Sequence, residues 1–310
     1  MPEILVTEFM DSAALDALRA DHDVHYDPAL VDKAGDLERM SRGVRALIVR
    51  NRTQVRAGLL AHAPDLQVVG RLGVGLDNID VEACRARGIE VYPATGANDV
   101  AVAEYVVCGA LMLLRRAYHA SAEVAAGVWP RTRLMGREVS GKRLGLIGFG
   151  AIARETAQRA RALGMEVVAF DPFVAADDPA WRVLDVAPQA LDDLLAQSDA
   201  ISLHVPLTAQ TRNLINAAAL DRMKAGAVLI NAARGGVVDE AALAVALRRG
   251  AIGGAMLDVF ETEPLGAGNC LSDVPNLILT PHIAGVTEES NVRVSALIAT
   301  KVSQFLKGRP

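Results

Sequence analysis

The chain has 310 residues, of which 51% are apolar and 22% charged, and a formal net charge of −5. That length and composition fit two globular domains and exclude a disordered or low-complexity chain. The acidic balance, with no Lys/Arg block longer than a pair such as Arg248–Arg249, argues against a nucleic-acid partner. The first ten residues carry acids in place of a basic leader, and the longest apolar stretch, 100–114, is interrupted by Glu104 and Gly109. Neither a signal peptide nor a membrane span is expected, and the cytoplasm is the expected compartment. Cys84, Cys108 and Cys270 lie far apart without a CxxC spacing, so no disulfide framework and no metal site is expected.

In chain order, EILVT (3–7), RALIV (45–49), LQVVG (66–70) and GIEVY (88–92) are short β-branched runs separated by Ala/Leu-rich helical segments. The alternation predicts an α/β fold with parallel sheets. Residues 98–116 then predict one long, unusually apolar helix that needs cover on most sides, from a second domain or another subunit. After an irregular stretch at 129–141, a strand starts at Arg143 and βα units run on to Pro281, with AGAVLIN (225–231), GGAMLD (253–258) and NLILT (276–280) as buried strands. The last segment, 288–306, is helical and has nothing after it to pair with, so it is expected to pack back onto the first unit. The predicted division is 1–97 plus 286–310, discontinuous in sequence, and 98–285.

The segment GLIGFGAIARETAQRARALGMEVVAFDP sets Gly148-x-Gly150-x-x-Ala153 between a strand and a helix. An acid, Asp171, follows Gly148 by 23 residues, close to the roughly 20 of a dinucleotide-binding fingerprint. Gly148 permits the tight turn, and Gly150 lets a pyrophosphate approach free N–H groups at the helix N-terminus. A glycine turn alone has a purely structural explanation, but here strand, turn, helix, strand and acid occur in order. Asp171 would accept from both adenosine ribose hydroxyls and repel a 2′-phosphate, which favours NAD over NADP.

Arg234, Asp258, Glu263 and His282 each close an apolar strand-like run where a loop begins, so they would converge at the carboxyl ends of parallel strands. A hydride moving to or from nicotinamide needs a proton carried the opposite way, and the imidazole of His282 suits that task. Glu263, with Glu261 as a nearby decoy, would fix the imidazole tautomer and raise its pKa. Arg234, followed by Gly235–Gly236, can grip a carboxylate with its planar fork. Asp258 would accept the nicotinamide carboxamide N–H.

The motifs GRLGVGLDNID, GFGAIAR with Asp171, LHVPLT, NAARGGVVDE, LDVFETEP and TPHIAG, spread over nearly the whole chain, resemble those of the D-isomer-specific 2-hydroxyacid dehydrogenase family, in particular its phosphoglycerate dehydrogenase-like branch. The resemblance implies two Rossmann-like domains with parallel sheets, a flavodoxin-like substrate-binding domain (1–97 plus 286–310) and an NAD-binding one (98–285), with the active site in the interdomain cleft. It places Arg234, Glu263 and His282 at the family's catalytic positions. Cofactor contacts would fall on Gly148, Gly150, Ala151, Ile152, Asp171, His204, Val205, Pro206, Ala232, Ala233, Arg234, Asp258, His282 and Gly285. The substrate carboxylate loop would be 72–75, with the N–H groups of Val74 and Gly75 as an anion nest, and Asn98 would be a substrate-side residue. A homodimer is implied, burying the 99–114 helix and the 118–140 loop.

Where that branch commonly carries VRSAT, this chain has Val49-Arg50-Asn51-Arg52-Thr53. Arg50 and Arg52, with Arg71 and Arg131 as further candidates, would make a cationic wall for a three-carbon 2-hydroxy acid with a second anionic group, such as 3-sulfolactate or 3-phosphoglycerate. Solvated loop charges are the plain alternative for these arginines. The competing functions are a glyoxylate or hydroxypyruvate (D-glycerate) reductase, which would not require Arg52, and a non-enzymatic NAD(H)-sensing binding module.

Overall fold

The computed structural model describes residues 2–116 and 120–308. The chain divides into two compact units, Met1–Asn98 with Gly285–Pro310, and Asp99–Ala284. In the first unit, strands β1 (Ile4–Val6), β2 (Val24–Tyr26), β3 (Ala46–Val49), β4 (Val68–Arg71) and β5 (Glu90–Pro93) form a parallel sheet in the order β2-β1-β3-β4-β5. β1 and β3 are buried throughout, which is why they read as unbroken apolar runs without alternation. The helix Glu288–Leu306 covers one face, with Val294, Ile298 and Val302 buried at intervals of four among Ile4, Ile48 and Val68. It starts at a capping box, in which Thr287 accepts from the Ser290 N–H and Ser290 from the Thr287 N–H.

In the second unit, β6 (Arg143–Ile147), β7 (Glu166–Phe170), β8 (Ala187–Pro188), β9 (Ala200–Leu203), β10 (Val228–Asn231), β11 (Gly254–Leu257) and β12 (Leu277–Leu279) run parallel in the order β12-β11-β10-β9-β6-β7-β8. The strand order reverses between β6 and β9, and a crevice opens beyond the carboxyl ends of strands at such a point. The long helix spans Asp99–Arg115 and lays Ala110, Leu113 and Leu114 on the sheet. Of the expected 118–140 loop, residues 118–119 lie outside the described residues, and a short helix, Ser121–Ala125, occupies part of the rest. Among the described residues no helix is long and apolar enough to cross a membrane.

The sequence does not single out β2 or β8. Both are edge strands: β2 is three half-buried residues, and β8 is two exposed residues ending in a proline. An edge position tolerates proline and needs no apolar run, so the usual signal is missing.

Candidate active site

The β6 turn is built for close approach. Gly148 has φ 94°, and a Cβ there would lie 2.5 Å from the His204 carbonyl oxygen, so the turn and the loop after β9 touch only because the side chain is absent. Gly150 precedes the helix Ala151–Ala162 with no side-chain cap, and a Cβ there would meet no atom within 4 Å. The uncapped N–H groups of Ala151 and Ile152 and the open space over Gly150 fit a pyrophosphate. Ala153, the third fingerprint residue, is fully buried. Asp171 Oδ2 accepts from the Phe149 N–H at 2.8 Å and Oδ1 from the Phe173 N–H at 2.9 Å, which pins the carboxylate at the lip of the turn and leaves acceptor sites for ribose hydroxyls.

Arg154 turns away from this acid. It lies over the Phe149 ring at 5.2 Å, donates to the Phe149 carbonyl and faces Asp178 at 3.6 Å. Phe149 stacks in turn on Trp181, centroids 4.3 Å apart. In the segment His204-Val205-Pro206, the His204 Nε2 is buried without a hydrogen-bond partner, and burial pushes its pKa down to about 4, so the ring is neutral near pH 7.

Three loops at the carboxyl ends of β10, β11 and β12 carry the expected reactive groups. His282 Nδ1 and Glu263 Oε2 are 2.7 Å apart, and Glu263 Oε1 accepts from the Phe260 N–H at 3.0 Å. Burial raises the Glu263 pKa, but the bond from His282, the Phe260 N–H and the charges of His282 and Arg234 outweigh it and hold the carboxyl below its ordinary range. A carboxylate can only accept, so Nδ1 carries the proton toward Glu263 and the outer nitrogen, Nε2, remains for exchange with a substrate. Glu261, the decoy, is exposed, and its N–H donates to Glu240.

Asn231 shapes the Arg234 turn: its Oδ1 accepts from the Ala233 N–H at 3.0 Å and its Nδ2 donates to the Arg234 carbonyl at 2.9 Å. Gly235 presses against the next loop so closely that a Cβ would sit 1.8 Å from the Phe260 carbonyl oxygen. Arg234 Nη1 donates to the Ala233 carbonyl at 2.6 Å, and its charge adds to those that lower the Glu263 pKa.

Asp258 is held among the groups of the loop that carries His282. It is 1% exposed. Its Oδ1 accepts from the Ile283 N–H at 2.8 Å and from Thr280 Oγ1 at 2.6 Å, and its Oδ2 from the Ala284 N–H at 2.7 Å. The carboxylate organises the His282 loop, and of its roughly four acceptor positions one is left for a ligand.

The first unit holds the remaining candidates. The N–H groups of Val74 and Gly75 donate to no other described residue, and Asn98 Oδ1 is buried without a partner. The Gly285 carbonyl accepts from Ser290 Oγ at 2.8 Å. The Arg50–Thr53 loop is tied down by Glu8, a 4% exposed acid whose carboxylate accepts from the N–H groups of Arg50, Arg52 and Thr53 at 2.9, 3.1 and 3.0 Å. The pair of open cations expected here is not what the loop presents. Arg52 forks onto Asp32 through both guanidinium nitrogens, because the nearest acid satisfies it. Arg50 lies over Phe9 at 5.9 Å and donates to Asn291 Oδ1 at 2.8 Å, and burial lowers its pKa. Sequence reading missed Glu8 and Asn231. Glu8 sits just past the carboxyl end of β1, where the strand-end rule applied to the second unit would have found it, and an Asn two residues before a turn N–H is an Asx-turn signal.

Residues 107–284 match the family described as "D-isomer specific 2-hydroxyacid dehydrogenase, NAD binding domain". The chain is 57% identical over 306 residues to an (S)-sulfolactate dehydrogenase of Chromohalobacter salexigens, covering 99% of each. It is 38% identical over 311 residues to a D-3-phosphoglycerate dehydrogenase of Archaeoglobus fulgidus, covering 99% of this chain but only 58% of that one. Among solved structures, D-lactate dehydrogenase from Aquifex aeolicus, complexed with NAD and lactic acid, superposes with a TM-score of 0.85 at 30% identity, covering 98% of this chain and 96% of the other. With NAD as its cofactor and hydroxy-acid oxidoreduction as its activity, the chain belongs to the D-isomer-specific 2-hydroxyacid dehydrogenase family.

Proposed function

We propose that the substrate is a three-carbon 2-hydroxy acid with a second anionic group, 3-sulfolactate ahead of 3-phosphoglycerate. The single observation that carries this reading is Arg50, a half-buried guanidinium over the Phe9 ring on a loop that Glu8 holds, since an anion gains more from a partly buried cation than from a solvated one. The end-to-end similarity to a sulfolactate dehydrogenase supports the sulfonate over the phosphate. Arg52, engaged with Asp32, is assigned the smaller share of the second-anion field.

In this reading the first unit is the substrate-binding domain and the second the NAD-binding domain. NAD held by the second unit would supply the acceptor for the hydride of the carbinol carbon. The residues then divide the remaining work. In the second unit Arg234 is assigned the substrate carboxylate, which its fork can grip, and in the first unit the N–H groups of Val74 and Gly75 are assigned as an anion nest. Asn98, whose buried Oδ1 has no partner in the protein, is assigned to the substrate side. His282 Nε2 takes the hydroxyl proton while Glu263 stabilises the imidazolium that forms. Gly148, Gly150, Ala151 and Ile152 receive the pyrophosphate and Asp171 the ribose. His204-Val205-Pro206, Ala232, Ala233, Asp258 and Gly285 line the remainder of the dinucleotide.

Arg50→Ala is expected to raise KM for 3-sulfolactate by roughly thirtyfold, the loss of one partly buried charge-assisted contact, and to leave D-glycerate within about threefold. Arg52→Ala should change both by only a few-fold, because exposed paired charges contribute little. Steady-state kinetics on the two acids decide the matter. An equal loss on both would return Arg50 to a structural role and favour the glyoxylate or hydroxypyruvate reductase reading, with which an Arg52 engaged by Asp32 is consistent.

We further propose a homodimer in which a second copy covers Trp129 and Met135, which are 72% and 73% exposed. Sedimentation equilibrium reading a single chain mass at micromolar concentration would refute it.

A further inference from the structure

We propose that Tyr105 and Thr280 are positioning residues for the reaction, joined in a one-way hydroxyl chain to Asp258 that fixes the loop carrying His282. The inference rests on the role proposed for His282. Tyr105 Oη and Thr280 Oγ1 are 2.5 Å apart, and Thr280 Oγ1 is 2.6 Å from Asp258 Oδ1. Neither group is part of the fingerprint, the acid–imidazole pair or the arginine turn.

The direction of the chain follows from proton counting. A carboxylate only accepts, so the single hydroxyl proton of Thr280 goes to Asp258. Tyr105 must then donate its own proton to Thr280. Burial pushes the Tyr105 phenol well above its ordinary range, so it remains a donor at every working pH.

The chain matters because His282 is held in an unfavourable backbone state. Its φ is 57°, the left-handed region that a residue with a Cβ rarely adopts. Asp258 supports it through three successive N–H groups. The His282 N–H reaches the Asp258 carbonyl at 2.9 Å, the Ile283 N–H reaches Oδ1 and the Ala284 N–H reaches Oδ2. Those last two bonds need the carboxylate in one rotation, and Thr280 selects that rotation by pulling on Oδ1. Tyr105 refers the arrangement to a fixed body: it projects from the helix Asp99–Arg115 between Val102 and Val106, both buried. The position of the imidazole is thereby tied to a helix packed on the sheet instead of to its own loop.

The test uses the full-length protein and reads kcat, NADH affinity by fluorescence and Tm. Thr280→Val keeps the side-chain shape and removes the donor, and should lower kcat roughly tenfold with NADH Kd within about threefold, while Thr280→Ser restores most of the loss. Tyr105→Phe, a milder change that leaves the fold intact, should lower kcat by about three- to fivefold in the parent and by nothing further in the Thr280→Val background, because coupled groups are non-additive. Independent, additive losses, or a Thr280→Val protein at parental kcat while His282→Gln is inactive, would overturn the positioning chain alone. An active His282→Gln protein would instead overturn the reading beneath it.

Discussion

Replacing His282 with Gln is expected to lower kcat by about three orders of magnitude, within the 10²–10⁴-fold range of general acid–base catalysis, with NADH affinity unchanged. The amide reproduces a hydrogen bond to Glu263, so the loop stays formed, but it cannot take up a proton between pH 5 and 9. The loss should fall equally on kcat and kcat/KM, the sign of an interaction made in the transition state and absent from the ground state. Fluorescence titration with NADH separates this from a collapsed site. Turnover within a few-fold of the parent would remove His282 from the mechanism, and with it the meaning of the 2.7 Å contact to Glu263.

Arg234→Lys is expected to lower kcat/KM by roughly 10²-fold or more, although the charge is retained. The guanidinium presents two parallel donors to a carboxylate, whereas an ammonium presents one point charge on a flexible stem. Asn231 and Gly235 fix the backbone of the Arg234 turn, and a lysine inherits the turn but not the fork. KM for the acid should rise more than kcat falls, because the grip on the carboxylate exists before the transition state. Steady-state kinetics with and without Arg234→Lys check this. Equal kcat/KM for the two side chains would mean that Arg234 acts only through its charge.

The second unit was the more legible part of the chain. β6, β10 and β11 are buried on both faces, so their runs are continuous, and the residues that end them stand where a parallel sheet opens to ligands. The Glu263–His282 pair was readable for that reason. Asp258 was legible as a strand-end acid but its partners were not: its place in the row says nothing about the three donors from 280–284 that hold its carboxylate. Arg52 shows the same limit, since its partner Asp32 lies 20 residues earlier and no local pattern announces the pair. Tyr105 was hidden by the helix it sits on, where an aromatic among valines reads as packing. The edge strands β2 and β8 carry too few buried side chains to leave a pattern at all.

The measurement that bears most directly on the central claim is initial-rate NAD reduction by the unaltered protein with racemic 3-sulfolactate, 3-phosphoglycerate, D-glycerate and D-lactate side by side. The proposed reading predicts NADH formation with a selective preference, at least about tenfold in kcat/KM, for one of the two acids bearing a second anion, the result that a half-buried Arg50 on a fixed loop favours. Preference for D-glycerate or D-lactate would contradict the assigned substrate, and no NADH from any of the four acids would contradict the account as a whole.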